Sequence, residues 1–355
     1  MKKHNFSAGP AILPKEVIQA ASDAVLELDE IGLSLIEISH RSPEFISIMD
    51  EACSLALQLL NLEGKGYKAM YLQGGASLQF LMAAYNLLQS KAGYINTGTW
   101  STKAIKEAKI LGNVLELASS KDKNFNYIPK KYMIPKDLDY LHITTNNTIF
   151  GTQFKNLPDT SIPLVADMSS DIFSRQLDYS KFDLFYAGAQ KNMGPSGATL
   201  VVIKESAFNR VKRVIPSMLN YEIQANSDSM FNTPPVFAVY TILLNLRWIA
   251  ENGGLKGIGY QNRIKASLIY EEIDRNPYFT GFANIEDRSE MNATFNLVDE
   301  RNAEIFDTIW KNSNISGLKG HRSVGGYRAS IYNALPIESV KVLVECMKEF
   351  EKTIN

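Results

Sequence analysis

Cysteine, histidine and net charge are all scarce in this chain, and each scarcity excludes something. Two cysteines, Cys53 and Cys346, stand among 355 residues. They cannot form a disulfide framework, and both fall in helix-like runs, so a reducing, cytoplasmic compartment is expected. The 37 basic and 38 acidic residues leave a formal charge of −1. That balance exerts no general pull on nucleic acid or on an anionic membrane, and neither is expected as a partner. Any anion site must come from a local cluster. No apolar run nears the ~20 residues of a membrane span. The start, Met1-Lys2-Lys3-His4-Asn5-Phe6, passes into Ser7-Ala8-Gly9-Pro10 with no long apolar stretch, so no signal peptide is expected. No metal site is assigned.

What the chain does contain is a regular alternation of helical and extended patterns. Strands are expected at 70–72, 94–95, 114–117, 141–145, 164–167, 184–187 and 200–203. Helices are expected at 14–28, with Pro14 at the first position, and at 42–60, 77–88 and 101–111. Short apolar strands separated by helices predict an α/β fold, with a mostly parallel sheet sandwiched by helices. Near residue 255 the pattern changes. A long helix over 236–250 leads into Gly253-Gly254 and Gly257, followed by a helix at 262–274, an alternating run at 291–297, a helix at 303–310, a strand at 328–332 and a helix at 337–350. At this length two domains are natural. The reading is a large domain over 1–254 and a small α+β domain over 255–355, with the N-terminal segment a candidate to pack on the smaller one.

Four constellations carry chemistry. Asp167 closes one apolar strand, and Lys191 follows another in Gly188-Ala189-Gln190-Lys191-Asn192-Met193-Gly194-Pro195. Taken alone, Asp167 is most simply a turn carboxylate and Lys191 a solvated loop lysine. Together they are what pyridoxal phosphate requires: an amine that condenses with the cofactor's aldehyde, and a carboxylate that keeps the ring nitrogen protonated. In the second, Leu72-Gln73-Gly74-Gly75-Ala76-Ser77 reads as strand, turn and helix start. Unpaired N–H groups and the helix dipole there suit a phosphate, with Ser77 able to cap the helix; a plain structural turn is an equal reading. In the third, Trp100 in Asn96-Thr97-Gly98-Thr99-Trp100 offers a face for a planar ring, although a core tryptophan is the commoner use of that residue. The fourth is a pair of His-Arg steps, His40-Arg41 and His321-Arg322, joined by Arg328. Arginine forks bind phosphate and carboxylate two-pronged, so these residues suit a small doubly anionic substrate; scattered surface arginines are the alternative.

These segments lie in one order from end to end: 5–11, 39–42, 74–77, 97–101, 145–151, 166–170, 188–192, 231–235 and 320–330. In that set the chain resembles the phosphoserine aminotransferase family, within the fold-type I, class-V-like pyridoxal-phosphate aminotransferases. The resemblance implies the fold of that type, with a seven-stranded-type sheet, and the transfer of an amino group from L-glutamate to 3-phosphohydroxypyruvate in serine biosynthesis. Whether phosphohydroxythreonine, on the route to pyridoxal phosphate, is a second substrate is left open. It implies that Lys191 holds the cofactor and carries the proton, that Asp167 pairs with the ring nitrogen, that Trp100 stacks on the ring and that Thr148 lies beside it. Ala76, Ser77 and Gln190 would hold the cofactor phosphate from one subunit, and Asn232 and Thr233 from the other, in a homodimer with shared sites. His40, Arg41, His321, Arg322 and Arg328 would bind substrate anions. Asn147 stands where the family often has Glu, and Tyr327 where it often has Met or Cys. Two other readings stay open: a fold-type I lyase resembling cysteine desulfurases, which needs a mobile cysteine, and a non-catalytic cofactor-binding relative, against which the intact Lys191 argues.

Overall fold

The computed structural model describes residues 3–322 and 324–354; Ser323 of the 320–330 motif lies outside the described residues. In chain order the elements are β1 (His4–Asn5), α1 (Lys15–Leu26), α2 (Pro43–Leu59), β2 (Tyr67–Leu72), α3 (Gly75–Leu87), β3 (Lys91–Asn96), α4 (Thr99–Ala108), β4 (Asn113–Ser119), β5 (Leu141–Thr144), β6 (Asn146–Asn147), β7 (Thr152–Gln153), β8 (Leu164–Asp167), β9 (Leu184–Gly188) and β10 (Thr199–Lys204). They continue with α5 (Tyr221–Asn226), α6 (Val236–Glu251), α7 (Gly254–Arg275), β11 (Phe279–Gly281), β12 (Asn292–Leu297), α8 (Ala303–Asn312), β13 (Ile315–Ser316), β14 (Tyr327–Ser330) and α9 (Ile337–Ile354).

Seven strands form one sheet in the order β2-β10-β9-β8-β5-β3-β4. All neighbours are parallel except β10, which runs against both β2 and β9. Two reversals cancel, so β2 points the same way as β9. The carboxyl ends of β2, β3, β5, β8 and β9 therefore share one edge, where ligands bind in open α/β sheets. The strands are apolar on both faces because helices cover both. In β10, Leu200 and Val202 pack with α1, α2 and α6, while Val201 and Ile203 pack with α3, α4 and α5. Each fully buried aliphatic or aromatic side chain of this kind contributes about 1.5–3 kcal/mol.

A third core gathers the antiparallel sheet β11-β12-β14 with α7, α8 and α9. Phe6 belongs to it, and β1 pairs in parallel with β13. Several helix starts differ from the sequence reading: α3 and α4 each begin two residues early, at Gly75 and Thr99, and Ser42 caps α2. Pro14 is the cap of α1 rather than its first residue. The helix expected at 262–274 begins at Gly254, straight after left-handed Gly253. Three glycines in its first turns concealed it, and packing requires two of them. A Cβ at Gly257 would meet the Asn252 carbonyl, and one at Gly259 would lie 3.3 Å from the Arg175 backbone.

Gly151 joins the β6-β7 hairpin to β12. Its φ is +71°, and a Cβ there would sit 2.8 Å from the Asn292 carbonyl and press on Thr294. Gly151→Ala is expected to lower stability by roughly 1–3 kcal/mol, through a positive φ and an overpacked contact. Denaturant unfolding measures it; an unchanged midpoint would show that the hairpin moves freely.

Candidate active site

At the carboxyl edge, β8 ends in Asp167 and β9 runs through Gly188 into the loop bearing Lys191. Lys191 Nζ does not pair with the carboxylate; it donates to Thr148 Oγ1 at 3.0 Å. Asp167 is buried, and its Oδ1 accepts the Ser169 N–H at 2.9 Å. Burial raises the Asp167 pKa, opposed by the nearby Lys191 charge. Burial likewise pulls Lys191 down to about 8, Asp167 opposing and Arg328 reinforcing. The result is an amine poised to lose its proton near neutrality beside a carboxylate that lacks a full cationic partner. Displaced pKa values of this kind mark functional sites.

Trp100 stands in the first turn of α4, with Lys191 Nζ 5.9 Å from its ring centroid and Lys103 Nζ at 4.6 Å. Arg328, on β14, donates Nη1 to the Thr148 carbonyl at 3.3 Å, and its buried Nε has no partner. His321 feels Arg328, Arg322 and Lys103, which add to burial in holding its pKa below the usual value. Cations crowded against a histidine are what an anion would relieve. β14 and the loop before it thus bring Arg328, His321 and Arg322 to the lysine side of the molecule.

The Gly-Gly turn differs in one respect from the sequence reading. Ser77 does not cap α3: left-handed Gly74 is the cap, with no side-chain bond, and Ala76 and Ser77 lie in the first turn. That leaves the first-turn N–H groups open and better suited to an anion than a capped start. Gln190 folds back with Oε1 2.7 Å from where a Gly188 Cβ would stand. The N-terminal segment crosses this loop. Ala11 N donates to the Gln190 carbonyl at 2.9 Å, and a Cβ at Gly9 would sit 3.5 Å from Lys191 Cγ.

Other expected residues are not gathered within one chain. No hydrogen bond or ion pair joins His40 or Arg41 to Lys191, Asp167 or Arg328 among the described residues, and Arg41 is exposed. Asn232 Nδ2 donates to Gln73 Oε1 at 3.3 Å, and Gln73 Nε2 to the Thr233 carbonyl at 2.8 Å. Within its own chain the 232–233 segment therefore touches the outer side of the glycine turn. Neither cysteine supplies a nucleophile: burial pushes Cys53, on α2, up to about 12 and also raises Cys346, on α9.

Both departures from the family pattern are packing residues. Asn147 donates Nδ2 to Thr152 Oγ1 at 3.0 Å across the hairpin. Tyr327 donates to Asp307 at 2.9 Å and packs on Phe295 and Phe306. Sequence reasoning missed three supports. Asp171 accepts from Thr145, Gln153 and Arg175 just beneath Asp167. Tyr332 places its hydroxyl beside Thr148. Asn192 accepts the Asn333 N–H at 3.1 Å. Asp171, four residues after Asp167 in a hydroxyl-rich run, and Asn192, inside the 188–192 segment, left a trace in the sequence; Tyr332 left none.

Residues 3–343 match the family described as Aminotransferase class-V. The chain belongs to the class-V aminotransferases. Among its relatives, phosphoserine aminotransferase of Flavobacterium johnsoniae is 61% identical over 356 residues, spanning 100% of both chains. That of Bacteroides fragilis is 53% identical over 354 residues, or 99% of each. The solved phosphoserine aminotransferase from Bacillus circulans subsp. alkalophilus superposes with a TM-score of 0.97 at 44% identity, covering 100% of this chain and 99% of that one. The pyridoxal-phosphate-bound enzyme from Trichomonas vaginalis gives 0.92 at 35%, covering 98% and 100%. The fold is therefore the fold-type I architecture of these pyridoxal-phosphate enzymes, with its mainly parallel sheet between helical layers.

In the protein freed of cofactor, capture of a small aldehyde at Lys191, trapped with borohydride, should rise with pH through about 8, the value to which burial lowers this amine. A solvated lysine would titrate near 10.4. Because Asp167 holds the proton on, Asp167→Asn should move the midpoint lower still. A midpoint near 10 in the unaltered chain would overturn the poised amine.

Proposed function

We propose that this class-V aminotransferase moves an amino group from L-glutamate to 3-phosphohydroxypyruvate, giving O-phospho-L-serine and 2-oxoglutarate. Full-length identity to phosphoserine aminotransferases supports the substrate pair. The observation that carries it is the pairing of a lysine amine and a buried carboxylate with Arg328 on β14 and with His321 and Arg322 in the loop before it.

The residues fit pyridoxal phosphate on their own chemistry. Asp167 is a desolvated carboxylate whose partners leave it short of positive charge, as a protonated ring nitrogen would require. The first turn of α3 offers uncapped N–H groups behind two left-handed glycines, which suits the phosphate. The cofactor supplies an electron sink for the pair left when a substrate C–H bond breaks. The chain's residues do the rest. Asp167 would hold the proton on the ring nitrogen, and Trp100 and Thr148 would set the ring's plane and edge. Ala76, Ser77 and Gln190 would seat the phosphate. The Lys191 amine would tether the cofactor and, once released, take the proton from the substrate's α carbon and return it to the other side of the exchange. Arg328, with an Nε to spare, would fork the carboxylate common to both substrates. His321 and Arg322, with His40 and Arg41, would receive the distal phosphate or carboxylate.

His40, Arg41, Asn232 and Thr233 would reach the site from a second subunit, making the enzyme a two-fold homodimer with shared sites. The exposure of Arg41 and the lack of bonds from the His40-Arg41 step to the lysine cluster support this. Residues 1–254 and 255–355 would form the large and small domains, with the N-terminal segment packed on the smaller; the core shared by Phe6 and α7 to α9 supports that division. Two unpaired thiols and no helix fit to cross a membrane among the described residues are consistent with a cytoplasmic enzyme.

Turnover of glutamate with 3-phosphohydroxypyruvate tests the reaction. Lys191→Ala should fold but lose roughly three or more powers of ten in rate, since one group serves as tether and proton carrier. Absence of phosphoserine from the unaltered enzyme would overturn the substrate assignment, and normal turnover by the variant would overturn the role of Lys191.

Complementation tests the shared site. A Lys191→Ala chain and an Asn232→Ala/Thr233→Ala chain, each inactive alone, should regain activity when expressed together, because each mixed dimer holds one intact site. Mixed dimers without activity would mean that the 232–233 segment serves its own chain, as its bonds to Gln73 would then explain.

A further inference from the structure

Lys265, on α7, is 2% exposed. Burial alone drives its pKa down, and no carboxylate offsets that cost. Its Nζ instead donates to three consecutive backbone carbonyls, Ile331 at 3.1 Å, Tyr332 at 2.7 Å and Asn333 at 3.3 Å. An ammonium has three N–H donors, and each finds one acceptor. Three successive carbonyls turned on one point are the kind of ligand set a bound metal cation takes; here a side chain supplies the charge. An aliphatic residue would fill the same space without burying a charge. The arrangement calls for a reason beyond packing.

The reason lies in what the 331–333 segment touches on its other side. Tyr332 sets its hydroxyl beside Thr148, which holds Lys191, and donates it to the Ala8 carbonyl at 2.9 Å. Asn333 donates its N–H to Asn192 Oδ1 at 3.1 Å, next to Lys191, and its Nδ2 to the Phe173 carbonyl at 3.1 Å. Arg328 lies three residues upstream of Ile331 on β14. One segment thus meets the lysine loop and continues from the strand bearing the substrate arginine, and Lys265 holds its carbonyls from behind.

We propose that Lys265 is a positioning residue for transamination: a built-in cation that holds residues 331–333 against the Lys191 loop and so sets the distance from Arg328 and Thr148 to the reacting amine. The inference rests on the roles given above to Lys191 and Arg328. A cavity of about 470 Å³ lined by Ile12, Tyr260, Gln261, Lys265, Asn333 and Pro336 opens onto Lys265, so a small cation can replace the lost ammonium.

Two variants test it beside the unaltered enzyme. Lys265→Met keeps the chain's bulk and removes the charge. It should retain cofactor absorbance while KM for glutamate and for 3-phosphohydroxypyruvate rises about ten-fold or more, the signature of lost substrate positioning. Lys265→Ala opens the space. Ammonium or methylammonium ions should raise its melting temperature by a few degrees and its kcat/KM several-fold, both saturably, with no effect on Lys265→Met or the unaltered enzyme. Kinetic constants of Lys265→Met within two-fold of the unaltered enzyme would overturn the proposal, as would a Lys265→Ala deficit that neither cation relieves. A Lys265→Ala chain that folds only with the added cation supports it. If neither variant folds even then, Lys265 serves the fold alone and the proposal fails. An unaltered enzyme without turnover would instead sink the functional reading.

Discussion

Holding a half-buried amine beside a buried carboxylate, close enough to influence each other yet not joined, is the constraint on which this structure turns. In a low-dielectric site a direct Lys191–Asp167 pair would be the cheapest arrangement, and it would leave neither group free for chemistry. The fold prevents it by giving each a different neutral partner. Thr148 takes the lysine, and the Ser169 N–H takes the carboxylate. Both groups stay strained toward their neutral forms, and the charge each lacks is the charge a cofactor and substrate would bring.

Holding that separation requires rigidity from several directions, and the chain achieves it mostly with neutral amides and hydroxyls. Asn146 bonds to Ser170 and Asn292, tying the β6-β7 hairpin to both the Asp167 loop and β12. Asn262 joins α7 to the Ser174 carbonyl and to Asn333. Asn245, on α6, donates to the Asn192 carbonyl. A buried neutral hydrogen bond fixes direction without the desolvation cost of an ion pair. The buried charges in this layer, the Asp171–Arg175 pair and Lys265, are each met by several partners. The segment around Gly9 and Ala11 and the chain after β14 then close over the lysine loop, so residues from both ends of the sequence meet at one amine.

Much of this was legible in the chain itself. Short apolar runs between helical patterns identified the central sheet, because strands buried on both faces must be apolar throughout. Lys191, Asp167 and the Gly74-Gly75 turn stood out because their chemistry is local: a residue type at a strand end. The beginning of α7 did not, because its glycines read as a loop until the Arg175 backbone that they accommodate is in view. Ser77 read as a cap for a similar reason. Whether a serine caps a helix depends on where the first turn begins, and left-handed Gly74 moved that point.

Local pattern therefore determined the elements, the family and the identity of the reactive groups, since each depends on residues near in sequence. Tertiary structure alone decided which groups share a space. No spacing rule links Thr148 to Lys191, Tyr332 to Thr148 or Lys265 to Asn333, because those contacts are made by strand order and by the crossing of separate cores. The shifted pKa of Lys191 belongs to the same category, since burial is a property of the assembled sheet edge and not of any segment that forms it.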